Sequence, residues 1–276
     1  MKFQRFIRYS FFIIVVCNIF VSTPVCSAQT SMPSAVNLSF VIDEAEAVLV
    51  ILNKRKANQP ITEADWQKVF QSEGYVRLKK RETAMKYSFE DADFKTFALS
   101  DGLAERAQAL EETLDRWKRA DITGAARLAL AYLPKGAQIK AKIYPVIKPR
   151  DNTFVFDAKT DAAIFVYLDP ATSRAKFENT LAHEFHHIGY SSGCPTKKVS
   201  AEISSWPQNK QVVIKLIGVF GEGFAMLAAA GSPDTHPHAV SSPEERARWD
   251  KDVANFNNDL NKVDRFFLDL LENRLT

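Results

Sequence analysis

Five residues, His183-Glu184-Phe185-His186-His187, constrain this chain more than any other stretch. They fit H-E-x-x-H. On a helix, positions i and i+4 lie one turn apart on the same face, so His183 and His187 can present two imidazoles to one metal ion. Glu184 stands one step around the helix, where it can reach a water on that ion. Two neutral nitrogen ligands, an open coordination position and a general base are the parts of a zinc hydrolase. The competing reading is an amphipathic helix that merely carries two histidines, and the surrounding sequence has to decide between them.

A catalytic zinc wants three protein ligands. Glu222 is the candidate third. It lies within residues 212–230, which read as one helix that is apolar nearly all round. A carboxylate buried there must be paired or bound to metal, because burying it alone costs several kcal/mol. Gly221 and Gly223 flank it and leave room for another element or an ion to come close. A buried salt bridge to a Lys or Arg is the alternative. Glu202, Asp234, His236 and His238 are rival ligands, each in a stretch that reads as surface loop.

The elements around the motif suit a cleft. Thr153-Phe154-Val155-Phe156 and Ala163-Ile164-Phe165-Val166-Tyr167 read as strands, and so does the alternation of Ile139, Ala141 and Ile143 with Lys140, Lys142 and Tyr144. Asp169-Pro170 then predicts a helix start, with Asp as cap and Pro at the first position. Strands feeding directly into the motif helix allow an edge strand to pair with an extended substrate backbone. Residues 191–209 read as a loop over the cleft. Ser242-Pro243-Glu244-Glu245 reads as a capping box that opens a last amphipathic helix packed along one face of the fold.

The N-terminal half is helical and carries no evident chemistry. Residues 29–38 read as a loose leader and residues 43–55 as a helix. Thr62 and Asp65 approach a capping box ahead of a buried face of Trp66, Val69, Phe70 and Val76. Residues 77–81, Arg-Leu-Lys-Lys-Arg, read as a solvated helix face. Leu103, Ala107, Leu110, Leu114 and Trp117 form a helical stripe, and residues 122–133 another helix. The expectation is an α+β, mostly helical fold with a small mixed or antiparallel sheet before the motif helix. A helical region at 29–136 would precede a catalytic region at 137–276, the two together forming one compact domain as the alternative.

His-Glu-Phe-His-His-Ile-Gly at 183–189, followed by Glu-Gly-Phe-Ala at 222–225, resembles bacterial zinc-dependent peptidase families that share H-E-x-H-H and a later E-G-x-A and look like gluzincins. The resemblance is strongest over about residues 160–230 and extends in layout over 40–276. It implies a zincin-like core holding one Zn2+, with His183, His187 and Glu222 as ligands and Glu184 as base. This chain departs from the thermolysin-type N-E-x-x-S-D pattern. Gly221 precedes Glu222, and Met226 stands four residues after it, where that pattern has its orienting aspartate.

Residues 1–28 read as an export signal. Lys2, Arg5 and Arg8 precede an apolar run from Phe11 to Val21, and Cys26-Ser27-Ala28 supplies small residues before Gln29. The whole chain carries a formal charge of +3. That segment holds three of its bases and no acid, so the remainder is neutral and offers nucleic acid no electrostatic footing. Of Cys17, Cys26 and Cys194 only the last survives cleavage, in what reads as a turn, so no internal disulfide forms. The chain therefore reads as a secreted or periplasmic metallopeptidase acting on peptides or proteins, with no stable membrane insertion after cleavage. Tyr144, Tyr190, His236 and His238 are candidate donors to an oxyanion. The rival class is a catalytically silent zincin-like protein that binds a partner at the cell surface. Glu184 argues against it, since a pure binding site needs no base.

Overall fold

Four short strands form the frame that holds the motif helix. The computed structural model describes residues 35–193, 202–217 and 220–274. Strands β1 (Val36–Phe40), β2 (Ile139–Val146), β3 (Phe154–Phe156) and β4 (Ala163–Tyr167) stand in the order β1-β2-β4-β3. β1 and β4 run parallel to β2, while β3 returns antiparallel along β4 at one edge. The sheet is thus mixed, and the fold is α+β and mostly helical. Part of the stretch expected as a loose leader is strand. Val36, Leu38 and Phe40 alternate half-buried with exposed Asn37 and Ser39, and the strand pairs in register with residues 139–143.

Both faces of the sheet are covered, so β2 and β4 are almost continuously buried, as strands between two layers must be. Ile139, Ala141, Ile143, Ile164 and Val166 join the main core. There they meet α1 (Asp43–Lys56), α6 (Ala107–Lys118), α7 (Ile122–Ala131) and α8 (Arg174–Gly193). Tyr144, Val146, Ala163 and Phe165 close instead over Leu78 of α3 (Glu73–Ala84). The main core draws side chains from both the 29–136 and the 137–276 regions.

The capping box at Thr62 and Asp65 opens α2 (Glu63–Phe70) and buries Trp66 and Val69. Val76 leaves the expected buried face. Ser72 caps a new helix, α3, and turns Val76 outward, 53% exposed. The basic run is not wholly solvated either. Arg77 pairs with Asp161 and meets the Tyr144 hydroxyl, and the Arg81 guanidinium stacks 3.8 Å from the Phe154 ring centroid. These cations cover aromatic ring faces that the sheet would otherwise leave bare. After α4 (Asp91–Ala98), the expected stripe from Leu103 to Trp117 is buried throughout, though the helix breaks at Arg106 between α5 (Asp101–Glu105) and α6.

The motif helix starts later than Asp169-Pro170 suggests. Thr172 N donates to Asp169 O and Ala171 N to Asp169 Oδ1, which closes a turn after β4. Ser173 then caps α8 by accepting from Lys176 N. At its far end α8 runs to Gly193, so residues 191–193 are helix, not loop; residues 194–201, Cys194 among them, lie outside the described residues. The apolar stretch at 212–230 comes as α9 (Gln208–Ile217) and α10 (Phe220–Ala230), with residues 218–219 outside the described residues.

The capping box at Ser242 is present with Pro243 at the first turn, and the last helical stretch breaks at Asn255 into α11 (Pro243–Ala254) and α12 (Phe256–Leu271). Contrary to the expectation of a packed face, neither helix has a buried residue. Its apolar stripe has the right period, but α12 rests on α9, itself a thinly covered helix, and not on the core.

Candidate metal centre

α8 divides its labour between two faces. Phe177, Leu181, Phe185 and Ile188 are buried in the core, and Phe177 stacks on Trp117 with centroids 4.1 Å apart. Gly189 lets the helix lie close to the end of α7, since a Cβ there would come 2.1 Å from Leu133 Cδ1. Asn179, His183 and His187, spaced by fours, form the second face. α10 crosses it with a stripe of Glu222, Ala225 and Ala229. The two alanines are buried, and their small size lets the helices approach. Asn179 Nδ2 donates to Ala229 O at 3.0 Å, and one turn on, His183 meets Glu222. Asn179 thus fixes the crossing that delivers Glu222. The sequence shows it only as a polar residue four places before His183.

Three ligand atoms converge. His183 Nε2 lies 3.1 Å from His187 Nε2 and 3.1 Å from Glu222 Oε2, and His187 Nε2 lies 3.3 Å from Glu222 Oε2. Around a tetrahedral zinc with bonds of about 2.0–2.1 Å, neighbouring ligand atoms stand about 3.3–3.4 Å apart. Two imidazole nitrogens and one carboxylate oxygen also match that ion's preferred ligand chemistry. The donor set therefore fits zinc in both kind and spacing. Among the described residues these three are the group that could hold a metal.

The electrostatics agree with that chemistry. Burial, then the neighbouring His187, holds the His183 imidazole below its ordinary pKa, toward the neutral form that binds metal. Glu184 is half-buried and has no hydrogen-bond partner among the described residues. Burial, then the Glu222 charge, pushes its carboxyl up to about 7. His186 is buried with its Nδ1 unpartnered and its ring near that of Tyr190. It too is held below its ordinary pKa, mainly by desolvation.

Two grounds for choosing Glu222 do not survive. Its side chain is 63% exposed, so no burial cost forces a partner on it. Gly221 and Gly223 open onto empty space, since a Cβ at either meets nothing within 4 Å. The stretch is apolar, yet α10 is thinly covered, with Phe224 and Leu227 also exposed. The rival ligands sit elsewhere. His236 Nε2 meets Asp250 Oδ1 at 2.9 Å and its Nδ1 accepts from His238 N. His238 Nδ1 contacts Ser241 Oγ, so both histidines staple the loop before α11. Glu202 and Asp234 are exposed and outside the group. Of the oxyanion candidates, Tyr144 is fully buried in the sheet, its hydroxyl donating to Glu73 and accepting from Arg77. Tyr190 is on α8, one turn beyond His186, and lines a cavity with His187.

The model of a family described as putative zinc dependent peptidase (DUF5700) matches residues 46–276. No curated protein and no solved structure matches.

Proposed function

The chain belongs to this family of putative zinc dependent peptidases, and on that premise we propose that it is an exported, single-zinc metallopeptidase. His183 Nε2, His187 Nε2 and Glu222 Oε2 would hold the ion. Zinc there would supply Lewis acidity and make water a better nucleophile at neutral pH. Glu184 takes a proton from the attacking water and returns it to the leaving amine. The outer edge of β3, which lies against α8, pairs with the extended backbone of a peptide or protein substrate. Tyr190 is the favoured oxyanion donor because it borders the same cavity as His187. The observation that carries this reading is the triangle of ligand atoms with sides of 3.1–3.3 Å.

Export rests on the basic, apolar and small-residue order of residues 1–28. N-terminal sequencing of the exported protein is expected to begin at Gln29; a chain beginning at Met1 would mean a retained anchor. The stretch Gln208–Ala230 holds an 18-residue window with a mean hydropathy of 1.9, long and apolar enough by composition to cross a membrane. We read it as part of the catalytic region and not as a span, since Ala225 and Ala229 pack on α8 and Glu222 meets the histidines.

Glu184→Gln tests the mechanism. Gln keeps the size of the side chain but cannot accept the water's proton. Turnover of a quenched-peptide library is expected to fall about 10²–10⁴-fold, with zinc still bound at one ion per chain. Retention of more than about a tenth of the activity would remove Glu184 from the role of base. A wild-type protein that binds zinc and cleaves nothing would favour the silent binding protein.

A further inference from the structure

Beside the ligand triangle, α8, α9, α10 and the residues just after α7 border a partly open cavity of about 550 Å3. His186 and His187 form its floor on α8, and its walls are Tyr132, Pro134, Tyr190, Ile214, Phe220 and Phe224. Among the described residues, no Asp, Glu, Lys or Arg lines it. Its volume lies within the ~300–1,000 Å3 of ordinary ligand pockets, so it has room for a large side chain. It shares His187 with the candidate metal centre, so whatever fills it lies next to the bond under attack.

We propose that this cavity is the specificity pocket, and that the enzyme selects peptides carrying a large apolar or aromatic side chain beside the scissile bond. The proposal rests on the metallopeptidase reading above. Three observations commit the pocket to that occupant. A charged side chain entering it would lose water and gain no ion pair, which is costly. A small side chain would leave the aromatic walls wet, whereas a benzyl or isobutyl group would bury them. A neighbouring cavity of about 470 Å3 lies across Phe220 and Phe224, but it touches neither histidine and contains Asp252. Proximity to the reacting atoms and the uncharged lining both favour the first. Phe224 and Phe220 are 61% and 45% exposed, apolar surface that a substrate side chain would cover.

The test uses zinc-loaded protein and two probes, malonyl monohydroxamate with and without a benzyl substituent, whose binding is measured by calorimetry. Burying one aromatic side chain is expected to make the benzyl probe about 10–100-fold tighter. Phe224→Ser and Ile214→Ser remove separate walls. Both residues are at least one-third exposed, so both variants are expected to keep the wild-type melting temperature and to lose most of the benzyl preference. Cleavage sites mapped by mass spectrometry in a peptide mixture are expected to show Phe, Tyr, Leu or Met at one position flanking the cut. If zinc is bound and the two probes bind alike, or the preference persists in both variants, the pocket assignment falls while the metallopeptidase reading stands. If the protein holds no zinc and binds neither probe, the underlying reading fails and takes the pocket with it.

Discussion

Glu222 exposes 63% of its side chain, so its charge owes little to desolvation, and what holds it beside His183 and His187 is the crossing of α8 and α10. Replacing it should therefore act on metal and hardly at all on folding. Glu222→Gln is expected to weaken zinc binding by more than the ~10–100-fold typical of losing an outer-shell partner. The metal-free melting temperature should stay within the range of an ordinary surface change, about 0.5 kcal/mol. Zinc titration and thermal melting with and without metal check both; a melt lowered in the metal-free protein would mean that Glu222 is structural. Glu44 is the opposite case. It is fully buried at the start of α1, with Oε2 accepting from Ile147 N and Oε1 unpartnered. Burial pushes its carboxyl from about 4.5 up to about 8, against the Ile147 hydrogen bond and Lys148, with Asp43 adding to the rise. Between those values the folded chain keeps a proton that the unfolded chain has released. Its contribution to stability is full below about pH 4.5 and is lost as pH rises through about 8. The stability of wild type minus that of Glu44→Gln is expected to drop by on the order of 3–5 kcal/mol over that window. Urea melts at pH 4.5, 6 and 8 measure it, and a difference independent of pH would refute the assignment. The contrast between the two carboxylates marks what could be read from sequence. His183, Glu184 and His187 were legible because one helical turn fixes their spacing. The burial argument that points to Glu222 belongs in fact to residues such as Glu44, whose surroundings come from distant segments. Asn179 was invisible as a positioning residue because its partner, Ala229 O, is fifty residues away.

At the level of elements, local chemistry was readable and coverage was not. The capping boxes at Thr62 and Ser242 are closed by side chains three residues apart, so a short window contains everything that determines them. The start of α8 was missed although its cap is equally local, because two candidate caps stand four residues apart. The choice between them is made from outside. Trp117 Nε1 donates to Thr172 O, Arg116 donates to Pro170 O, and these contacts from α6 hold the Asp169 turn in place, leaving Ser173 to cap. β1 has a visible alternation in Val36, Leu38 and Phe40, yet only its partner strand a hundred residues later makes it a strand. A small sheet and the helical majority follow from patterns in the sequence, but whether the sheet is mixed or antiparallel, and its order β1-β2-β4-β3, depend on pairings that no local window holds. Periodicity shows that α12 has an apolar face. It does not show what lies against that face.

That uncovered face gives the molecule as a whole an uneven stability. β2, β4 and the inward side of α8 are buried within a layered core, whereas α11 and α12 bury no residue. Val253, Phe256, Leu260 and Leu268 are each more than 40% exposed. Free energies of local opening scale with the apolar contacts that an opening breaks. α11 and α12 can thus unfold while the core remains intact, and native-state hydrogen exchange should resolve the two. Amides in β2, β4 and α8 are expected to be protected by at least about 10²-fold more than those in α11 and α12, a gap of roughly 3 kcal/mol in opening free energy. Zinc should sharpen the pattern. An ion bound across α8 and α10 stabilises only openings that leave its ligands in place, so it is expected to slow exchange in those two helices and leave α11 and α12 as they were. If α12 exchanges as slowly as β2 in the free protein, its face is covered in solution by something beyond the described residues. A dependence of that protection on protein concentration would then identify the cover as a second copy.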